Sequence, residues 1–142
     1  MEPTMVLNDG RRVPRLGFGT FKLTEADRGQ AIVEKALEIG YRLIDTASYY
    51  RNEAMVGRAL AAAGLPRADL TVATKVWPVD FDPDAVRRSV ERSLNELGLD
   101  YIDILYVHWP SEGFETVWDI FESYSDHGMA KPHGADALEK LH

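Results

Sequence analysis

Four residues of this chain could do acid–base chemistry together, and their spacing suggests it. Asp45 closes the short apolar run Leu43-Ile44, Lys75 closes Leu70-Thr71-Val72-Ala73-Thr74, and His108 closes Tyr101-Ile102-Asp103-Ile104-Leu105-Tyr106-Val107. Successive members lie 30 and 33 residues apart, each interval about the length of a βαβ unit. Tyr50 follows Asp45 in a loop, ahead of the apolar-periodic segment Met55-Val56-x-x-Ala59-Leu60. In a parallel α/β barrel, groups at strand C-terminal ends share one mouth, where the chemistry sits. An acid, an ammonium and an imidazole leaving three successive strands would there meet a phenol. Taken singly, each has a plainer explanation. Asp45 could be a helix cap or turn former, Tyr50 packing, Lys75 a solvated strand end, and His108, beside Trp109-Pro110, a satisfied core histidine. Their joint occurrence on consecutive strands favours a site.

The elements that must position them follow from periodicity and punctuation. Residues 5–15 carry Asp9-Gly10 between two short apolar-containing runs, a hairpin signal. Such a hairpin would plug or cap one end of a sheet. Leu16-Gly17-Phe18-Gly19-Thr20-Phe21 reads as a short strand whose glycines either admit a ligand or mark a crowded barrel start. A first helix opens at Thr24-Glu25-Ala26-Asp27, with Ile32-Val33, Ala36-Leu37 and Ile39 as its apolar face, and Gly40 stops it. The strand Arg42–Asp45 comes next, then a helix over about 52–63 opened by Asn52-Glu53 and closed by Gly64 and Pro66. The strand Leu70–Lys75 follows. Asp82-Pro83 begins a third helix with Val86, Val90, Leu94 and Leu97 apolar and Gly98 at its end. Ile102–Val107 is a nearly continuous apolar strand, the kind buried on both faces. A fourth helix covers Glu115–Asp126 and ends at Gly128, with Val117, Trp118, Phe121 and Tyr124 on one side; Trp118 and Phe121 read as core.

The order is thus a hairpin, then strand–helix four times. It predicts an α/β fold, a parallel (β/α) barrel of TIM type with about four βα units plus an N-terminal β-hairpin, hence a half or incomplete barrel. The chain, residues 1–142, is expected to form a single domain with an atypical tail over 132–142. A fifth strand starting at Met129-Ala130-Lys131 should be missing or severely shortened, because Pro132 removes a ladder donor. A full barrel takes about 250 residues.

Composition sets the outer limits. A hydrophobic content of 45% and a charged content of 27% describe an ordinary globular chain. The net charge of −7, with Lys and Arg scattered, offers no basic stripe for nucleic acid or an anionic membrane surface. The absence of cysteine rules out disulfides and thiolate metal sites. No basic stretch leading into an apolar run opens the sequence, and no run approaches a membrane span, so a cytoplasmic protein is expected. His127, His133 and His142 lack metal-ligand spacing and read as surface. A metal site built on His108 and Asp45 finds no further ligands, so no metal is expected.

Four motifs now combine. Leu16-Gly17-Phe18-Gly19-Thr20-Phe21, Gly40-Tyr41-Arg42-Leu43-Ile44-Asp45-Thr46-Ala47-x-x-Tyr50-x-Asn52-Glu53-x-x-Val56-Gly57, Thr74-Lys75-Val76-Trp77 and Leu105-Tyr106-Val107-His108-Trp109-Pro110 together resemble the aldo-keto reductases. The likeness runs from residue 5 to about 131 and covers the front half of that family's barrel. It implies reduction of a carbonyl substrate by hydride from NADPH, with NADH also open. On the family pattern Tyr50 is the proton donor, Lys75 the cation beside it, Asp45 the counter-charge of that cation, and His108 the group that orients the carbonyl oxygen. A free phenol titrates near about 10, so a neighbouring cation would help it act near neutrality. The resemblance further implies that Gly19, Thr20, Phe21 and Asp45 lie against the cofactor. Phe21, Tyr49, Trp77 and Trp109 would line an apolar substrate pocket. In the family a Gly-Val-Ser-Asn-type segment after the fifth strand holds the nicotinamide carboxamide, and later strands bind the phosphates; residues 132–142 resemble none of these.

Two function classes follow. One is an NAD(P)H-dependent oxidoreductase acting on aldehydes or ketones. The other is a catalytically incomplete half-barrel or assembly module, whose open sheet edges invite a homodimer or a missing half-barrel partner. A metal-dependent hydrolase on the same barrel class is a weaker third.

Overall fold

In the computed structural model, residues 3–77, 82–109, 112, 113, 115–126 and 130–132 are described. The chain opens with an antiparallel hairpin, β1 (Thr4–Val6) and β2 (Arg12–Pro14). Its turn forms at Asp9-Gly10, where Gly10 takes a positive φ of 83° and its N–H reaches the Leu7 carbonyl. Four βα units follow. They are β3 (Gly17–Gly19) with α1 (Ala26–Glu38), β4 (Leu43–Asp45) with α2 (Glu53–Ala63), β5 (Thr71–Val76) with α3 (Pro83–Leu97), and β6 (Ile102–Val107) with α4 (Glu115–Asp126). A last strand, β7, spans only Ala130–Pro132. Strands β3 to β7 form one parallel sheet in sequence order. The shortening expected at Pro132 is therefore real, but three residues still pair with β6, at Ile102↔Ala130 and Leu105↔Pro132 across an irregular register. Pro132 costs the strand its continuation rather than its existence.

Helix boundaries have local causes. Asp82 caps α3 by accepting from the Ala85 N–H at 3.1 Å, and Pro83 takes the first helical position. Gly98, at φ 66°, closes the same helix in the left-handed region. Asn52 precedes α2 but makes no capping bond; its side chain is used elsewhere, as described below. Gly128, His127, His133, His142 and the tail beyond Pro132 lie outside the described residues.

Two apolar clusters fill the space between sheet and helices. One joins Val33, Leu37, Ile44, Val56, Leu60 and Val72 under α1 and α2. The other joins Val76, Val86, Val90, Leu105, Ile120 and Phe121 under α3 and α4. Trp118 packs against this second cluster and Phe121 is fully buried, so both are core residues. The opposite face of the sheet, the inside of the barrel, is covered by the hairpin. There Val13 packs with Ala73 and Ile104, joined by Leu7, Leu43 and Tyr106. The Arg11 Nη1 donates to the Asp103 carbonyl at 3.1 Å and ties the hairpin to β6. On β6, Ile102, Ile104 and Leu105 are buried, whereas Tyr106 on the inner face and Val107 on the outer one are only partly covered. Burial on both faces thus lapses toward His108. The two glycines of β3 divide the explanations offered for them. A Cβ at Gly17 would sit 2.9 Å from Leu43 side-chain atoms, a crowded start; at Gly19 it would meet nothing within 4 Å.

Candidate active site

The strand ends bring all four chemical groups to one rim. Gly19 pairs with Asp45 and Asp45 with Ala73, so β4 ends two residues before Lys75, which pairs with Tyr106. The His108 N–H extends the ladder to the Val76 carbonyl at 2.9 Å. Because strand side chains alternate, Asp45, Lys75 and Tyr106 share the inner face with the hairpin plug.

Lys75 Nζ donates to Asp45 Oδ1 at 2.7 Å, to Asp45 Oδ2 at 2.8 Å and to the Thr46 carbonyl at 2.9 Å. Those three bonds account for every N–H an ammonium carries. Nζ also lies 5.2 Å from the centre of the Tyr50 ring and 6.0 Å from that of Tyr106. The Tyr50 ring stands 5.7 Å from the His108 ring, nearly perpendicular to it. The acid, the ammonium, the phenol ring and the imidazole are therefore neighbours.

Tyr50 is placed by a short 3-10 turn, Ser48–Tyr50, whose Ser48 Oγ donates to the Lys75 carbonyl at 2.9 Å. Arg51 then takes φ 54°, a left-handed conformation costing a non-glycine residue about 1–2 kcal/mol. The strain sits between Tyr50 and α2, where the chain must turn back toward the sheet. Beneath the turn runs a buried polar chain. Thr20 Oγ1 donates to Thr46 Oγ1 at 2.9 Å, Thr46 Oγ1 to Asn52 Oδ1 at 3.2 Å, and Asn52 Nδ2 to the Thr20 carbonyl at 2.8 Å. Thr20 is fully buried, with its hydroxyl committed to this chain.

His108 is not a satisfied core histidine. Its Nδ1 is buried and has no hydrogen-bond partner among the described residues. Burial foremost, then the Lys75 ammonium, hold the imidazole below its ordinary value of 6.5, against a smaller opposing pull from Asp45. Its surroundings are aromatic: Trp77 at 4.8 Å, Tyr50 at 5.7 Å and Tyr49 at 6.0 Å between ring centres. Tyr49 lies flat on Trp77 at 3.9 Å. Phe21 tilts against Tyr50 at 5.0 Å. Phe21, Tyr49 and Trp109 are all more than half exposed, so the rim presents an apolar surface to solvent. On β6, burial and the nearby Asp45 carboxylate push the Tyr106 phenol upward.

Several residues of this arrangement carried no signal of their own in the sequence. Asn52 reads as helix entry; only the packed fold shows Thr46, Ser48 and the Asn52 side chain to be internal ties. The same is true of Glu53, which is almost completely buried. Among the described residues no group of three or more His, Cys, Asp or Glu is gathered closely enough to hold a metal ion.

Comparison with known proteins follows the same residues. A model of the aldo/keto reductase family matches residues 15–135. An aldo-keto reductase of Mycolicibacterium smegmatis is 38% identical over 145 aligned residues, covering all of this chain and 52% of the relative. One from Mycobacterium ulcerans is 49% identical over 119 residues, covering 84% of this chain and 42% of its own length. Among solved structures, an aldo/keto reductase from Brucella melitensis superposes with a TM-score of 0.87 at 38% identity, over 92% of this chain and 51% of that one. A Bombyx mori aldo-keto reductase solved in complex with NADP gives 0.83 at 33% identity, over 92% and 48%. The chain spans about half the length of these relatives. The family model covers most of the chain, and the chain belongs to the aldo/keto reductase family.

Proposed function

We propose that this chain carries the acid–base centre of an NAD(P)H-dependent reduction of an aldehyde or ketone to an alcohol, with Tyr50 as the proton donor. The observation that carries the reading is the meeting of Asp45, Lys75, Tyr50 and His108 at one rim. A carbonyl accepting hydride gathers negative charge on oxygen, and a donor within reach must quench it. Tyr50 gives that proton. Lys75 has no N–H left for the phenol, so it acts through its charge, lowering the cost of the phenolate left behind. Asp45 keeps that charge tolerable in a partly buried place. His108 orients the carbonyl oxygen from a neutral ring. Its proton belongs on Nε2, because a buried N–H left unpaired at Nδ1 would cost about 1–3 kcal/mol.

A nicotinamide cofactor, NADPH or NADH, would supply the hydride. The residues fit a planar ring at this rim: the open space over Gly19, the Asp45 strand end and the exposed Phe21 face beside Tyr50 would border it. Thr20 would contribute position only, since its hydroxyl is committed inward. The substrate side is the aromatic shelf of Phe21, Tyr49, Trp77 and Trp109, suited to a small apolar carbonyl compound. The cytoplasmic location expected from the sequence belongs to the same reading. Mixing the chain with NADPH and a reactive aromatic aldehyde, and following absorbance of the reduced cofactor, tests it. Turnover should fall by about 10²–10⁴ in Tyr50→Phe, the usual share of one general acid. A wild-type rate no higher than that of Tyr50→Phe would reject the reading for this chain.

A second reading is favoured by the sheet itself. Among the described residues, strands β3 and β7 have no partner on their outer edges, and nothing covers the inner face above the Val13 plug. Parallel sheets are seldom left bare in this way. A complementing half-barrel, or a second copy of this chain, would cover both. Sedimentation over a range of concentrations distinguishes the readings: a folded monomer throughout counts against self-association.

A further inference from the structure

Among the described residues, Glu53 is the only acidic or basic side chain that is buried; it is 1% exposed. The chemistry proposed above gives it no task. It stands at the first position of α2, on the outer side of the sheet. Its Oε1 accepts from Thr74 Oγ1 at 2.5 Å and its Oε2 accepts from Ser93 Oγ, on α3, at 3.0 Å. Both hydroxyl residues are themselves buried. An apolar side chain of similar size would fill this space without the desolvation cost that a buried carboxyl carries. The carboxyl is therefore informative for what it holds.

What it holds is the end of β5. Strand β4 stops pairing at Ala73, while β5 runs on through Thr74, Lys75 and Val76 with a strand partner only on its β6 side. On the other side Ser48 bonds the Lys75 carbonyl and Glu53 bonds Thr74. Adjacent strand residues face opposite ways. Anchoring the Thr74 hydroxyl on the outer side therefore fixes the twist of the strand about its own axis. That twist aims Lys75 at Asp45 and the Thr46 carbonyl. We propose that Glu53 is a positioning residue for Lys75, acting through Thr74; its bearing on turnover, though not its bearing on Lys75, rests on the reductase reading.

The test uses the 142-residue chain, which has five lysines. Carbon-13 labelling of the lysine ε-carbons gives few resonances, and Lys75→Met assigns the one required. In Glu53→Met and in Thr74→Val, each with wild-type circular dichroism, the Lys75 resonance should move toward those of exposed lysines. Thr74→Ser, which restores the hydroxyl, should return it. Turnover of the aldehyde should fall about tenfold in each of the first two variants, with no further loss when they are combined, because both break one link. A Lys75 resonance unmoved in folded Glu53→Met and Thr74→Val overturns the proposal, even if turnover falls. Should the wild type show no turnover, the reductase reading fails and the resonance still decides the positioning claim. Should Glu53→Met not fold, the Thr74→Val and Thr74→Ser pair decides it alone.

Discussion

At the scale of single residues, the rim is built on bonds that are complete and one that is not. Lys75 is fully engaged, Asp45 is engaged by Lys75, and His108 keeps a buried nitrogen without a partner among the described residues. The imidazole is held low mainly by burial, and Trp77 is the ring nearest to it. Replacing Trp77 by Ala should readmit water and raise the His108 titration toward 6.5. A proton NMR titration of the four histidines checks this, and an unchanged His108 would refute it. The sign for Glu53 runs the other way. Burial first, then Glu96, raise its carboxyl above 4.5, against the Thr74 and Ser93 hydroxyls and Arg92. The folded state then binds this proton more tightly than the unfolded chain does, so the contribution to stability is full below 4.5 and is lost as pH rises through the folded value. Glu53→Gln has no such loss. Its denaturation midpoint should gain on the wild type from acid to neutral pH; a constant gap would contradict the assignment. The acid, ammonium and imidazole were legible because each ends an apolar run. Glu53 was not, because a Glu at a helix start has the same appearance whether it faces water or a neighbouring helix.

At the scale of elements, most boundaries were legible and one role was not. Gly40, Gly64 and Gly98 stop their helices as glycines after an apolar-periodic run do, and Asp82-Pro83 starts α3 as read. Asn52 was read as opening α2, yet its side chain ties the ends of β3 and β4 rather than the helix N–H groups. Sequence spacing shows that a polar residue precedes a helix; only tertiary packing decides which donors it meets. The contact between α2 and α3 has its own requirement. A Cβ at Gly57 would lie 2.5 Å from the Glu96 carbonyl oxygen and 2.7 Å from that of Leu97. Neither is a flexible side-chain end, so the helices must separate. Gly57→Ala should destabilise the chain by roughly 1–3 kcal/mol, the range for overpacking, despite the better helix propensity of alanine. Urea unfolding measures it, and a stabilised variant would show that the two helices can part freely. The same separation would shift Glu53 and Ser93 relative to one another, so the Lys75 resonance should respond as well.

At the scale of the whole molecule, every apolar cluster among the described residues includes residues of the sheet. The alternation of strands and helices made the parallel sheet legible, and the proline at 132 foretold the short last strand. The hairpin was legible as a hairpin and as a plug in general terms. Its depth was not, because Val13 and the Arg11 bond to Asp103 join segments some ninety residues apart. No spacing rule reaches that far. The arrangement makes a definite claim about cooperativity. Val13 belongs to the inner cluster and Val86 to the outer one, and the two clusters have no member in common. Each is well buried, so truncation to Ala should cost about 2 kcal/mol, the transfer value for a valine side chain with a modest cavity added. If the sheet couples both faces into one folding unit, Val13→Ala and Val86→Ala shift the same transition. Their costs then add to within about 0.5 kcal/mol in the double variant. Tryptophan fluorescence, which reports on Trp77 and Trp109 at the rim and Trp118 on α4, and circular dichroism should give coincident curves for all three variants. A hairpin that melts separately, so that Val13→Ala leaves the main transition in place, would mean that the plug only rests on the sheet; the inner face would then open before the molecule unfolds.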